Sequence, residues 1–313
     1  MPSFNPLYHS TRRIWLLPVL LLLGMLTTPV AAAELSDYDG GESCVKCHKL
    51  IYNKTYTSNT HNQIFTNAPR NEKEARGCEA CHGPAARHVE IADNEEGGTL
   101  ALNSFKPAPE NTPWINNTCL SCHQGGMHIE HWSGNAHQTN GLACTSCHRT
   151  HNNEKKVAQQ VCGNCHVRQR AKMNRSSHIP VREGLMSCTS CHNAHGSAGE
   201  AALTTTNTND ICYQCHAEQR GPFLWEHAPV RDNCGNCHDP HGSNHNGMLK
   251  MRQPFLCQSC HQSTAPAPHI NNLMDGRGTV PGTMNRSQVV DGCGNCHSLI
   301  HGSNHPSGNT FQR

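Results

Sequence analysis

Residues 188–195 read Cys188-Thr-Ser-Cys191-His192-Asn-Ala-His195, and the pattern returns along the chain. Cys144-Thr-Ser-Cys147-His148-Arg-Thr-His151, Cys234-Gly-Asn-Cys237-His238-Asp-Pro-His241 and Cys293-Gly-Asn-Cys296-His297-Ser-Leu-Ile-His301 repeat both the paired cysteines and the trailing histidine. Six more units share the five-residue core: Cys44, Cys47 and His48; Cys78, Cys81 and His82; Cys119, Cys122 and His123; Cys162, Cys165 and His166; Cys212, Cys215 and His216; Cys257, Cys260 and His261. These ten motifs, numbered 1 to 10 in chain order, absorb all 20 cysteines of the 313-residue chain.

Disulfides would explain paired cysteines in an exported protein, but they place no demand on the next residue. Structural zinc joins two ligand clusters at finger or ribbon spacings, again without an obligatory adjacent histidine. At the histidine frequency of this chain, ten adjacent histidines by accident has a probability on the order of 10⁻¹¹, and Cys-x-x-Cys-His is the attachment signature of c-type haem. The chemistry needs this spacing. Two thiols one helical turn apart add across the two vinyl groups of one porphyrin, and the following imidazole becomes the proximal iron ligand. Ten covalently bound haem c groups are the expected cofactors.

Composition agrees that the polypeptide is not built around apolar side chains. Only 35% of residues are hydrophobic. Once the first 33 positions and the cysteines are set aside, roughly a quarter of the remainder could form a core, against the ~45–50% usual in globular domains. That cannot offset the entropy of ordering so long a chain. An ordinary enzyme domain is excluded. Ten motifs in the 280 residues from Glu34 onward leave 28 residues for each haem, so the haems must pack on one another and supply the interior.

Residues 1–33 carry Arg12 and Arg13, an apolar run from Ile14 to Leu26, and Ala31-Ala32-Ala33. This reads as a signal peptide cut after Ala33, short for a spanning helix. Both the general secretory and the twin-arginine routes stay open. Nothing after Ala33 could span a bilayer, which points to a periplasmic protein. The remaining chain has equal numbers of acidic and basic side chains, since removing Arg12 and Arg13 leaves 23 Lys+Arg against 23 Asp+Glu. Neither nucleic acid nor a lipid surface is suggested as a partner.

The sixth iron position decides between substrate chemistry and electron transfer. Beyond the ten proximal histidines and His9, fourteen remain: His61, His88, His128, His131, His137, His151, His178, His195, His227, His241, His245, His269, His301 and His305. Supply exceeds the ten needed. The rival ligand, methionine, has no fixed relation to the motifs. A histidine three or four residues past a proximal ligand lies on that ligand's side of the ring, so His151, His195, His241 and His301 should cap neighbouring haems. Bis-histidine iron throughout is the expectation, with no substrate-converting site.

Secondary structure should be scant. The fold class expected is a multihaem cytochrome c of mostly irregular coil, with short α-helices, almost no sheet and an elongated row of ten closely packed haems. The motifs divide evenly into two pentahaem halves, residues 34–180 and 181–313. Motif starts lie closest together from Cys119 to His261, and residues 93–113 and 263–291 read as loops.

From Cys44 onward the chain resembles the periplasmic decahaem cytochromes of outer-membrane porin–cytochrome conduits, the Mtr-type A subunits and their Mto, Pio and dimethyl-sulfoxide-respiration relatives. The resemblance rests on Cys78-Glu-Ala-Cys-His-Gly-Pro with His88, Asn174-Arg-Ser-Ser-His178, Cys212-Tyr-Gln-Cys-His-Ala-Glu, Trp225-Glu-His-Ala-Pro-Val230 and His301-Gly-Ser-Asn-His-Pro-Ser-Gly308. It implies an electron wire entering an outer-membrane β-barrel porin, fed by periplasmic or inner-membrane cytochromes and facing an extracellular multihaem cytochrome. It implies His61, His88, His137, His151, His178, His195, His227, His241, His269 and His301 as distal ligands. His128, His131 and His245 have no counterpart, and His305 competes with His301. A freely diffusing periplasmic shuttle, or an oxidoreductase with an open iron, are the alternatives. The direction of flow is not encoded in these residues.

Overall fold

Each Cys-x-x-Cys-His unit closes on itself through one hydrogen bond. In a computed structural model of the chain, the histidine N–H of nine motifs donates to the carbonyl of the first cysteine, at 2.8 Å for His48 and 3.0 Å for His82, for example. The tenth unit, Cys119 to His123, lies within a helix that makes the same bond internally. One turn of helix is therefore the local structure of every motif. It sets the two thiols on one side and lets the imidazole project beyond them. The structure describes residues 37–94, 102, 104–126, 129–152, 158–261 and 292–312. The expected leader, His128 and His269 lie outside these.

The helices used below are α1 (Gly41–Cys47), α2 (Thr60–Asn67), α3 (Ala86–Asp93), α4 (Thr112–His123), α5 (Ala136–Thr139), α6 (Ala158–Gly163), α7 (Val167–Lys172), α8 (Thr208–Tyr213) and α9 (Ala228–Asp232). The longest, α4, has 12 residues. Among the described residues no strand forms. Isolated bridges, Ser177 with Ser243, His192 with Leu203, Trp225 with Ser303 and His238 with Leu249, are the only β pairing there. The architecture is short helices in coil.

The protein interior is almost empty of apolar side chains. Ala80, Ala85, Ile115, Trp132, Ala143, Val181, Leu203 and Phe311 are the buried apolar residues described, three of them alanine. Buried polar residues, among them Asn59, Glu79, Asn116, Asn209 and Ser303, are as numerous. A buried polar group must be hydrogen-bonded, and these are. Glu79 accepts from the backbone N–H groups of Gly40 and Ala85, each at 2.8 Å, and of Asp39 at 3.1 Å, tying the segment before α1 to motif 2. Asn116 on α4 accepts from Cys144 N–H at 2.9 Å and donates to Leu142. Asn209 on α8 accepts from Cys234 N–H at 2.7 Å and donates to Val230 and Arg231. Gln253 accepts from Gly294 N–H at 2.9 Å. Each of the last three precedes an odd-numbered motif and grips the start of the next even one.

Candidate functional site

All twenty cysteines are free of disulfide bonds. The first cysteines of successive motifs face one another in odd–even pairs: Cys44 with Cys78, Cys119 with Cys144, Cys162 with Cys188, Cys212 with Cys234, and Cys257 with Cys293. In the bare chain these pairs hydrogen-bond. The bond pulls the thiols of Cys78, Cys144 and Cys234 down to about 7 and that of Cys293 to about 6. Their partners Cys44, Cys119, Cys212 and Cys257 are pushed up as donors. The second cysteines come within electrostatic range across the other junctions: Cys81 with Cys122, Cys191 with Cys215, and Cys237 with Cys260. Successive motifs are therefore neighbours in space as well as in sequence.

The histidines are arranged in facing pairs. Ring centroids are separated by 6.4 Å for His48 and His88, 6.0 Å for His61 and His123, 5.9 Å for His82 and His151, and 6.1 Å for His137 and His166. The values are 5.9 Å for His148 and His195, 6.0 Å for His192 and His241, 6.2 Å for His227 and His261, and 6.1 Å for His238 and His301. Each pair joins one proximal histidine to one sequence-expected distal histidine. A metal–imidazole bond of about 2.0 Å, with about 1.1 Å from nitrogen to ring centre, puts two trans imidazoles about 6.2 Å apart. All eight pairs fall within about 0.3 Å of that value. Parallel rings this far apart do not touch; the gap is the width of one coordinated metal. The donor set fits a haem iron.

Burial favours the neutral form, the one able to ligate a metal, in five of the sequence-expected distal rings. It lowers the proton affinity of His61, His151, His227, His241 and His301. For four of them the facing proximal ring, His123, His261, His192 or His238, adds to the effect. Two positive charges cannot share one such gap.

Backbone carbonyls orient the rings through Nδ1, leaving Nε2 for the metal. The His192 ring bonds Ala201 O at 2.9 Å; His238 bonds Gly247 O and His297 bonds Thr310 O, both at 2.5 Å. These carbonyls sit on a loop repeated after motifs 6, 8 and 10. Its backbone enters the left-handed region at Ala201 (φ 50°), Gly247 (φ 65°) and Phe311 (φ 54°). Strain of this kind persists where the surroundings require it. The distal rings of His61 and His137 bond the carbonyls of Thr150 and Ala194, the residues immediately before His151 and His195. The Ile300 carbonyl sits beside the half-buried His227 ring, whose shielded Nδ1 closes no hydrogen bond. Thus His61 is held against the segment bearing His151, His137 against that bearing His195, and His227 lies beside that bearing His301.

Proximal His216 and His297 are outside the eight pairs. The His216 ring bonds Glu218 at 3.2 Å. His178 bonds Arg175 O at 2.7 Å and Glu183 at 3.1 Å, and packs against Gly242, next to His241. His301, rather than His305, is the ring that faces a proximal histidine; His305 accepts from Ser307 N–H. His131 is exposed and His245 half-buried. The histidine after an even motif was expected to serve a neighbouring haem; it faces the motif two places earlier in the chain. The clamping asparagines carry no motif signal in the sequence; the loops with positive φ do have a trace, His-Gly-Ser at 195–197, 241–243 and 301–303 shortly before each of them.

Two comparisons bear on this geometry. The profile of the doubled CXXCH motif matches residues 178–221 and 227–266. The multihaem cytochrome MtrA of Shewanella baltica (strain OS185) is 39% identical over 282 residues, covering 88% of this chain and 81% of the relative. With the haem-attachment turns, the facing imidazoles and similarity across nearly the whole described chain, this protein belongs to the MtrA family of multihaem c-type cytochromes.

Proposed function

We propose that the chain is a decahaem, bis-histidine electron carrier of the periplasm that works inside an outer-membrane β-barrel porin and exchanges electrons with the cell exterior. The eight imidazole pairs, 5.9–6.4 Å apart, carry this reading. Haem iron supplies reversible one-electron chemistry when bound. The protein residues do the rest. Twenty cysteines would anchor the haems, and each imidazole pair would hold iron between its two rings, leaving no open position for a substrate. Facing cysteines at odd–even junctions and joined distal rings at even–odd ones hold the motifs in a single file.

The two remaining sites follow from the same two-motif step. His61, His137 and His227 lie between motifs 1 and 2, 3 and 4, and 7 and 8, and serve motifs 3, 5 and 9. The equivalent position between motifs 5 and 6 is His178, which we assign to His216 of motif 7. Motif 10 has no later motif to draw on, and His269, between motifs 9 and 10, completes it. The repeating unit we propose is thus the doublet. A division at residue 180 would part Cys162 from Cys188, which face one another.

A porin fits the backbone. Coil exposed to lipid would leave its polar groups unpaired, whereas a barrel lumen is polar. No helix among the described residues is long and apolar enough to cross a membrane. The leader-like residues 1–33 direct such a chain to the periplasm. The test is reconstitution in liposomes loaded with a reductant. External ferric iron should be reduced only when the holoprotein and its porin are both present; reduction with the porin alone overturns the proposal.

A further inference from the structure

The eight imidazole pairs are not alike. Six are near-parallel, with interplanar angles of 11–21°. Two are crossed: His61 with His123 at 78°, and His137 with His166 at 67°. These two share a local feature, an asparagine two residues earlier that caps the start of an α-helix; His195 also follows an asparagine, Asn193, which accepts its N–H at 3.0 Å, but that segment starts no helix and its pair with His148 is near-parallel. His61 follows Asn59 and sits at the start of α2; His137 follows Asn135 and sits at the start of α5. His227, the third distal ligand of this class, follows Trp225 instead and faces His261 at 17°.

Each asparagine makes two connections at once. Its side-chain oxygen accepts the backbone N–H of the histidine, at 2.8 Å for His61 and 2.7 Å for His137, capping the helix. Its side-chain amide donates across to the loop bearing the neighbouring distal ligand. Asn59 reaches Thr150 O at 2.9 Å, and Asn135 reaches His195 O at 2.7 Å. Asn59 is almost wholly buried, 3% exposed, so the connection is shielded from water. With the helix start clamped and the ring bonded to Thr150 O in His61 or, through Nδ1, to Ala194 O in His137, the ring is restrained from turning about its axis.

We propose that Asn59 and Asn135 are positioning residues that hold His61 and His137 crosswise to His123 and His166, giving the sites of motifs 3 and 5 an electronic state unlike that of their neighbours. This rests on the bis-histidine reading above. The plane of an imidazole selects which iron dπ orbital it donates into. Parallel rings both raise the same orbital and split the pair. Crossed rings raise one each, leave the pair nearly degenerate and retain orbital angular momentum. Ferric iron so ligated stays low-spin but has a strongly anisotropic g tensor, while parallel ligation gives an ordinary rhombic signal.

Low-temperature electron paramagnetic resonance of the oxidised holoprotein, quantified against haem content, reads this directly. The wild type should show strongly anisotropic low-spin centres from the motif 3 and motif 5 sites, two of the eight whose ring planes are described. Asn59→Ala and Asn135→Ala should each remove one such centre, and the double variant both, with haem content and low-spin absorption unchanged. Asn116→Ala removes an asparagine that grips the backbone without touching an imidazole pair, and should retain both. A wild-type spectrum of rhombic low-spin signals alone overturns the proposal, as does persistence of both anisotropic centres in the double variant. High-spin iron in the wild type would instead overturn the bis-histidine reading, so the two failures are distinguishable.

Discussion

Gly242 shows how little latitude a residue beside an axial ligand has. Its φ is +125°, and a Cβ there would stand 2.3 Å from Lys172 O and 3.1 Å from His178 Cβ. Gly196 and Gly302 repeat the arrangement after His195 and His301, with a Cβ meeting His131 O or the Phe223 ring. Only glycine fits both the backbone conformation and the close approach. Gly242→Ala should move His241 away from His192, at a cost of about 1–3 kcal/mol in stability. The outcome to measure is about one carbon-monoxide-binding, high-spin haem per molecule in a protein that is otherwise fully low-spin. At this scale the sequence was most legible. Cysteine and histidine have chemistry that nothing else supplies, so the haem-attachment motifs stand out from spacing alone. Ala201 and Phe311 were not, because neither residue type signals positive φ.

Among elements, the asparagine clamps do the work that apolar helix packing does elsewhere. Asn209 on α8 satisfies Cys234 N–H and two carbonyls at the end of α9, drawing motif 7 onto motif 8. Removing it strands buried polar groups, each of which costs about 1–3 kcal/mol. Asn209→Ala should lower the thermal midpoint, followed through the Soret band, by several degrees. Asn209→Asp, which keeps the acceptor but not the donors, should fall between variant and wild type. Short helices in coil were legible from the density of motifs and of Gly and Pro. Which helix grips which turn was not, because asparagine is too common in loops for one position to stand out. Eight of the sequence-expected distal histidines face a proximal ring, but which ring each one faces was not legible. A two-motif offset is a property of the folded path, and His151 lies far closer in sequence to His148 than to the His82 it faces.

For the whole molecule, the described apolar core amounts to a few scattered side chains, with Ile115 and Val181 the larger ones fully buried. A chain of this kind cannot order itself without the groups it binds. The polypeptide produced without haem attachment should therefore be largely unstructured. Limited proteolysis should degrade it at least tenfold faster than the holoprotein, and its far-ultraviolet circular dichroism should lack the helical signal. This too was legible in the composition.

The two-motif offset has a temporal consequence. A chain threaded N-terminus first through a secretory pore delivers His82 before His151, and His238 before His301. The centres of motifs 2, 4, 6 and 8 would each wait, half capped, while roughly fifty to seventy more residues emerge. Ordering thus advances as a travelling front that trails the exit site by two attachment points. A ribosome that stalls early, or a protease that trims the tail, damages not the final cofactor but one installed well upstream.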